Sequence, residues 1–245
     1  MNDFLLCALE ANREVFKAIN SVDRESMYQK HTKGVGGDIS SGFDLAAEKI
    51  FFEHLSQFGS IESEESGVMN DGESKIIIDP IDGSDNIASN FSYYGTSIAL
   101  VNSDGILENA IVCNLASQEV FWISEAEAPM HGRLFEDTWE IIENNNFSKI
   151  GIFERAYDNP KIVGLLKDNK IKFRSPGAVA LSLAYARWVD FVIFVGPVRI
   201  YDVAAGLALC KGLEVIIQED FAIVSKDKEI AAKLFGIISN SFSGE

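Results

Sequence analysis

Apolar residues fall on one helical stripe at the start of the chain. Phe4, Leu5, Ala8, Val15, Phe16 and Ile19 mark it and predict a helix over residues 3 to about 29. Residues 30–38 are polar and glycine-rich and break the stripe. They read as a flexible loop, either a plain linker or a mobile flap over a site. A second helix runs through about Leu55, with Ser40 or Ser41 as its cap and Leu45, Ile50, Phe51 and Leu55 facing inward. Ile76, Ile77 and Ile78 then form a short continuous apolar run, which predicts a buried strand. Residues 86–92 read as one helical turn or loop. Runs at 96–101, 107–113 and 119–123 predict an antiparallel meander, with Asn102-Ser103-Asp104-Gly105 as the turn between the first two. Short strands at 131–135 and 139–142 follow.

The rhythm changes after residue 146. Strands are expected at 149–153, 171–174, 191–195, 214–217 and 222–224. Helices are expected at 159–167, 179–188, 200–211 and 227–238, with Pro160 suited to the first turn of its helix. This alternation predicts an α/β half over 147–245, joined to a sheet-rich α+β half over 1–146, in a single domain of 245 residues.

Composition narrows the function. Hydrophobic residues make up 47% of the chain, enough for a sizeable core, and no apolar run reaches the roughly 20 residues of a membrane span. The start lacks the basic flank and apolar run of a signal peptide, so a cytoplasmic location is expected. Cys7, Cys113 and Cys210 are scattered and read as reduced thiols. A formal net charge of −16 argues against nucleic acid or an anionic membrane as a partner. It also sits badly with a phosphorylated substrate, unless acids gather divalent cations that supply the missing positive charge.

Asp79-Pro80-Ile81-Asp82-Gly83-Ser84 meets that condition. Asp79 stands where a buried strand leaves the core. Pro80 stiffens the turn, Gly83 lets backbone approach a ligand, and two carboxylates three apart suit a hard cation such as Mg²⁺. The Ile81 carbonyl is a further oxygen donor. The other acids admit structural readings: Glu64 lies in a polar loop, while Asp44 and Asp202 sit in first helical turns and favour the helix dipole. Rival motifs fail. An EF-hand counted from Asp82 would have Ile87 at its glycine position and Tyr93 at its glutamate position. There is no Walker-type loop and no nucleophile elbow, and His31, His54 and His131 are dispersed.

The Asp79–Ser84 hexapeptide resembles the signature of the inositol monophosphatase superfamily, which includes fructose-1,6-bisphosphatases and nucleotide 3′-phosphatases. The family's other motifs follow in order. Ser63-Glu64-Glu65-Ser66 is similar to its upstream Glu-Glu motif. Tyr201-Asp202-Val203-Ala204-Ala205-Gly206 is similar to its late Asp motif, and Asp38 through Asp44 to its early acidic segment. Arg174-Ser175-Pro176-Gly177-Ala178 stands where the family has a substrate loop. The resemblance implies a layered αβαβα sandwich of the sugar phosphatase type and an Mg²⁺-dependent phosphomonoesterase acting on a small polyol or sugar phosphate. It implies two or three Mg²⁺ ions held by Glu64, Asp79, the Ile81 carbonyl, Asp82 and Asp202. Glu64, Asp44 and Ser84 would take catalytic roles, Asp44 and Ser84 as a hydrogen-bonded pair that activates water. Gly83, Ser84, Gly177 and, on the loop, Lys33 would bind substrate. Family members are often dimers, so a homodimer is a further expectation.

Departures bear on the substrate. Ser84 keeps the hydroxyl of the commoner threonine, and Asp85 adds charge beside it. Val195 stands where inositol-selective members carry a glutamate, and Tyr201 replaces a tryptophan. Arg199 resembles the arginine of sugar-bisphosphate members, and with Arg174 it could hold a second phosphate bidentately; each also has a plain structural reading, as surface charge or ion-pair partner. The readings left open are an inositol-1-phosphate or fructose-1,6-bisphosphate phosphatase, a nucleotide 3′-phosphatase, and a non-catalytic metal- or phosphate-binding or interaction protein.

Overall fold

The computed structural model describes residues 1–21, 30–35 and 39–242. Helix α1 (Asp3–Ser21) carries the predicted stripe, and the rest of its expected length, 22–29, lies outside the described residues. The expected loop at 30–38 needs correction. Strand β1 (Lys30–Lys33) pairs antiparallel with β2 (Ile39–Ser41). Backbone pairing builds this hairpin, and its polar sequence carries no apolar alternation to announce it. Helix α2 (Gly42–Leu55) starts in a capping box: Ser41 Oγ accepts from Asp44 N–H, and Asp44 accepts from Ser41 N–H.

Next come β3 (Ser60–Ser63), β4 (Gly67–Val68), β5 (Lys75–Asp82) and the short helix α3 (Ser84–Ala88). The predicted meander is β6 (Gly95–Val101), β7 (Leu107–Asn114) and β8 (Glu119–Ser124), extended by β9 (Met130–Arg133) and β10 (Trp139–Ile141). Together they form an eight-stranded sheet in the order β10-β9-β8-β7-β6-β5-β3-β4, in which β3 and β5 run parallel.

The second half contributes β11 (Gly151–Glu154), α4 (Pro160–Asp168), β12 (Phe173–Arg174), α5 (Val179–Ala184), β13 (Phe191–Val195), α6 (Ile200–Leu209), β14 (Glu214–Ile217), β15 (Phe221–Ser225) and α7 (Lys228–Phe242). Its five-stranded sheet has the order β12-β11-β13-β15-β14, with β11 parallel to both neighbours. Helix α5 ends four residues short of expectation. Tyr185 and Trp188 leave the helical path in tight turns, and the Tyr185 hydroxyl is held by Glu119 and Asn114.

Strand alternation sets the layers. On β5, Ile76 and Ile78 face α1 and α2, packing with Leu5, Phe51 and Leu55. Ile77 faces the opposite side, against Leu181, Ala205 and Leu209 of α5 and α6. Both faces are covered, so the strand reads as an unbroken apolar run. The far sides of α5 and α6, through Leu183 and Val203, pack on Ile152, Val192 and Val224 of the smaller sheet. The outer face of that sheet, with Phe153, Ile193 and Ile223, is covered by Ile162 and Leu166 of α4 and Leu234 and Ile238 of α7. The result is a layered αβαβα arrangement in which α5 and α6 lie between the sheets. Each fully buried isoleucine contributes roughly 1.5–3 kcal/mol, so this two-sided packing anchors the end of β5 firmly. No helix among the described residues is long and apolar enough to cross a membrane.

Candidate active site

The site forms where β5 loses its regular partner. Pairing with β6 is regular from Lys75 to Asp79 and resumes only at Asp82–Gly95, with an irregularity between them. Pro80 has no N–H to give the ladder, so the strand bulges there. Because β3 runs parallel beside β5, its end delivers Glu64 next to Asp79, and Glu64 N–H donates to the Ile78 carbonyl (3.1 Å). The first turn of α6 brings Asp202 from the other half of the chain. Carboxylate oxygens of Glu64, Asp79 and Asp202 lie within 4.8 Å of one another, and all three residues are buried.

Asp82 has a different setting. Its Oδ1 accepts from Val179 N–H and its Oδ2 from Leu181 N–H, each at 2.9 Å. Those donors belong to the first turn of α5, which suits a carboxylate. Asp82 therefore ties the turn to α5 as well as bordering the acidic cavity. Burial, then the charge of Glu64, Asp82 and Asp202, pushes the Asp79 carboxyl well above its ordinary range. Burial does the same to Asp82, partly offset by the Leu181 N–H. Buried, crowded oxygen donors of this kind fit a hard divalent cation, which would relieve the repulsion among them.

Arg199 meets that charge. Its Nε donates to Asp202 Oδ2 (2.9 Å) and its Nη2 to Asp202 Oδ1 (3.0 Å), a bidentate fork, while Nη1 lies 2.7 Å from Glu64 Oε1. It lines the same cavity, but its guanidinium is engaged with the acids.

On the next turn, Ser84 Oγ donates to Asp44 Oδ1 (2.9 Å), with the Ile81 carbonyl 3.1 Å away as a second acceptor. Asp44 Oδ2 accepts from Ser41 N–H at 2.6 Å, so the capping box orients the carboxylate toward Ser84. Burial raises the pKa of Asp44. Gly83 has φ 95°, a left-handed conformation that L side chains rarely adopt, and it turns the chain from β5 into α3.

Gly177 also has a positive φ, 87°. Its N–H donates to Glu154 Oε2 (2.9 Å), and Ser182 Oγ donates to Glu154 Oε1 (2.5 Å). Burial raises the pKa of Glu154. Asn86 Nδ2 bridges the Tyr93 carbonyl (2.6 Å) and the Pro176 carbonyl (2.7 Å), pinning the 175–178 loop over α3. Glu48 on α2 accepts from both Ser66 N–H (3.1 Å) and Ser66 Oγ (2.6 Å), steadying the loop that carries Glu64.

The resulting cavity holds about 460 Å³. Asp44, Glu64, Asp79, Ile81, Asp82, Gly83, Ser84, Gly177, Arg199 and Asp202 all line it. Two sequence candidates stand apart. Arg174 is exposed, donates to its neighbour's carbonyl at Phe173 (2.9 Å), and lines a separate apolar cavity of about 400 Å³ with Phe91, Tyr93 and Pro176. Lys33 ends β1, and its side chain, like all of Asp38, lies outside the described residues. The hairpin does approach the site, since Val35 N–H donates to the Glu65 carbonyl (3.1 Å).

Sequence reasoning missed Glu48, Asn86, Glu154 and Arg155. Glu154 could have been found, because it follows the apolar residues of its strand as Asp79 follows Ile76, Ile77 and Ile78. Arg155 follows in a left-handed conformation (φ 56°), with its guanidinium carbon 5.6 Å from the Phe194 ring centroid, and lines the acidic cavity.

The family model for the inositol monophosphatase family matches residues 2–215. A protein of Xylella fastidiosa named Nus factor SuhB is 29% identical over 222 residues, covering 86% of this chain and 78% of that one. The fructose-1,6-bisphosphatase/inositol-1-monophosphatase of Archaeoglobus fulgidus is 26% identical over 220 residues, covering 85% and 81%. Among solved structures, an IMPase of Thermotoga maritima superposes with a TM-score of 0.78 over 98% of this chain and 99% of that one; at 21% identity it speaks for the fold.

Proposed function

The chain belongs to the inositol monophosphatase family, and from that premise we propose that it is an Mg²⁺-dependent phosphomonoesterase acting on a small polyol or sugar phosphate. The observation that carries the reading is the convergence of Glu64, Asp79 and Asp202 within 4.8 Å, beside the Ser84–Asp44 hydroxyl–carboxylate pair. Three carboxylates, with the Ile81 carbonyl and Asp82 alongside, form an all-oxygen donor set that fits Mg²⁺. A bound divalent cation supplies positive charge against the phosphoryl oxygens and makes neighbouring water more acidic.

The chain's own groups do the rest. Ser84 donates its proton to Asp44, which leaves the Ser84 oxygen free to accept a proton from the attacking water. As that water oxygen forms its bond to phosphorus, its proton passes to Ser84 Oγ and the Ser84 proton passes to Asp44 Oδ1. A carboxylate whose pKa burial has raised is suited to receive it. The ester P–O bond breaks, and the leaving oxygen departs as the alcohol with a proton from solvent. No covalent enzyme intermediate is required.

A phosphate-release assay tests this with inositol-1-phosphate, fructose-1,6-bisphosphate and a nucleotide 3′-phosphate, each with Mg²⁺ and with chelator. Chelator-sensitive release from at least one ester is expected. A second reading, a binding or interaction protein without turnover, draws support from the resemblance to the SuhB protein named as a Nus factor. Mg²⁺ binding by calorimetry with no release from any ester would favour it. The preserved Ser84–Asp44 pair counts against it, and the net charge of −16 counts against direct nucleic acid binding.

A further inference from the structure

Arg199 was expected to face substrate, yet its guanidinium spans two of the three clustered carboxylates. It holds Asp202 through a fork at 2.9 and 3.0 Å and Glu64 at 2.7 Å. Glu64 and Asp202 are also two of the three residues whose oxygens converge within 4.8 Å. A guanidinium donating to an oxygen uses lone pairs that a cation would need, and two positive charges in one buried pocket repel. We propose that Arg199 is a resident counter-cation that a divalent metal must displace, so that metal binding and the Arg199 clamp exclude each other. This rests on the metal reading above and adds to it a role for the chain's own arginine.

Two consequences follow from the chemistry. Without metal, Arg199 holds the Glu64 and Asp202 carboxylates in place, ready to serve as ligands. When metal binds, Glu64 and Asp202 exchange one positive partner for another, and the guanidinium is released. It starts from the wall of the same cavity, half-buried, and an anionic group on the substrate is the natural new partner for its planar fork. Metal binding would then both assemble the hydrolytic site and free a cation for the substrate. Arg199 acts here as a positioning residue, through the acids it holds.

The test compares wild type, Arg199→Gln, Arg199→Lys and Arg155→Gln. Mg²⁺ affinity is measured by calorimetry, and thermal unfolding is followed in chelator and in saturating Mg²⁺. Arg155 lines the same cavity, but its charge acts on Glu154 rather than bridging Glu64 and Asp202, so it controls for simple loss of a nearby charge. Arg199→Gln should bind Mg²⁺ about tenfold to a hundredfold more tightly than wild type, since the ion no longer breaks charge-assisted hydrogen bonds. It should also melt below wild type in chelator, with the gap closing in saturating Mg²⁺. Arg199→Lys should fall between, because a point charge cannot make the fork, and Arg155→Gln should stay close to wild type in both readouts.

Mg²⁺ affinity that is equal or weaker in Arg199→Gln, or an unchanged melting temperature in chelator, overturns the exchange. If all the variants and the wild type bind Mg²⁺ with one affinity, only the exchange falls. If none binds it, the metal-dependent phosphatase reading falls as well.

Discussion

Ser84 Oγ lies 2.9 Å from Asp44 Oδ1 across 40 residues of sequence, and the other Asp44 oxygen is fixed by the Ser41 N–H that begins α2. One carboxylate thus caps a helix and orients a hydroxyl. If that hydroxyl relays the water proton, Ser84→Ala should lower kcat by roughly 10²–10⁴-fold. The fold should lose only one exchanged hydrogen bond, about 1 kcal/mol, which for a chain of this size is about 2–4 °C in Tm. Mg²⁺ affinity should be close to unchanged, because Ser84 is not among the clustered ligands. Steady-state kinetics with calorimetry on the same variant checks this, and a kcat near wild type would remove Ser84 from the mechanism.

The buried acids make a metal-free prediction about pH. Burial holds the Asp79 and Asp82 carboxyls well above their ordinary values, so the folded state binds more protons than the unfolded chain, whose aspartates titrate near about 3.9. Stability from these groups is therefore fullest at low pH and is lost as pH rises through the raised values. Glu119 works in the other direction. The His131 ring, with Nε2 3.5 Å from its Oε1, and hydrogen bonds from the Tyr185 and Ser117 hydroxyls lower it to about 2, so its contribution is lost as pH falls from its ordinary range toward that value. In chelator, Tm should be higher near pH 5 than near pH 7.5, and should fall again under stronger acid. Asp79→Asn should raise Tm at pH 7.5, flatten the change between pH 5 and 7.5, and abolish tight Mg²⁺ binding. A variant that melts lower at pH 7.5 than wild type in chelator would show that the Asp79 charge is not a cost to the fold.

Much of this was legible before any coordinates. The isoleucine run, the meander and the alternating second half each carry an apolar signal that predicts a sheet-rich half and an α/β half, while the layered αβαβα order came with the family resemblance. Asp79 and Asp82 could be singled out because the turn chemistry around Pro80 and Gly83 is distinctive, whereas the roles of Asp44 and Ser84 came with the family resemblance. What stayed hidden is pairing between distant residues. Nothing local says that Arg199 reaches Glu64 across 135 positions, or that Val179 and Leu181 N–H groups cap Asp82. The polar hairpin of β1 and β2 stayed hidden for another reason: its side chains do not alternate, so only its backbone pairing reveals it.

Glu154 supports the loop that closes the cavity. It accepts from Gly177 N–H, Ala178 N–H and Ser182 Oγ with both oxygens, and the next donors along the chain, Val179 and Leu181, hold Asp82. In Glu154→Gln one of those oxygens becomes an NH₂ group that meets a donor. The expected cost is about 1–3 kcal/mol, seen as a lower Tm, with a weaker Mg²⁺ affinity because Asp82 shifts with the loop. Full retention of both would mean that the loop is held by Asn86 alone.

The last prediction separates Arg174, which the sequence offered for a second phosphate, from Arg155, which it did not. Arg174 is exposed beside an apolar cavity, and its Nη1 donates to a main-chain carbonyl. Arg155 stands in the acidic cavity, half-buried, and makes no ion pair among the described residues. A left-handed backbone at a non-glycine residue is uncommon, and here it directs the chain from the end of β11 into the cavity wall. For a substrate with a second phosphate, Arg155→Gln should raise KM by about tenfold, the range for losing one charge-assisted hydrogen bond in a partly desolvated site. The same variant should leave KM for a singly phosphorylated polyol within a small factor, and Arg174→Gln should leave both unchanged. Equal effects of Arg155→Gln on the two substrates would mean that it acts on the general field of the site. A larger effect from Arg174→Gln would move the second phosphate to the apolar cavity beside Phe91 and Tyr93.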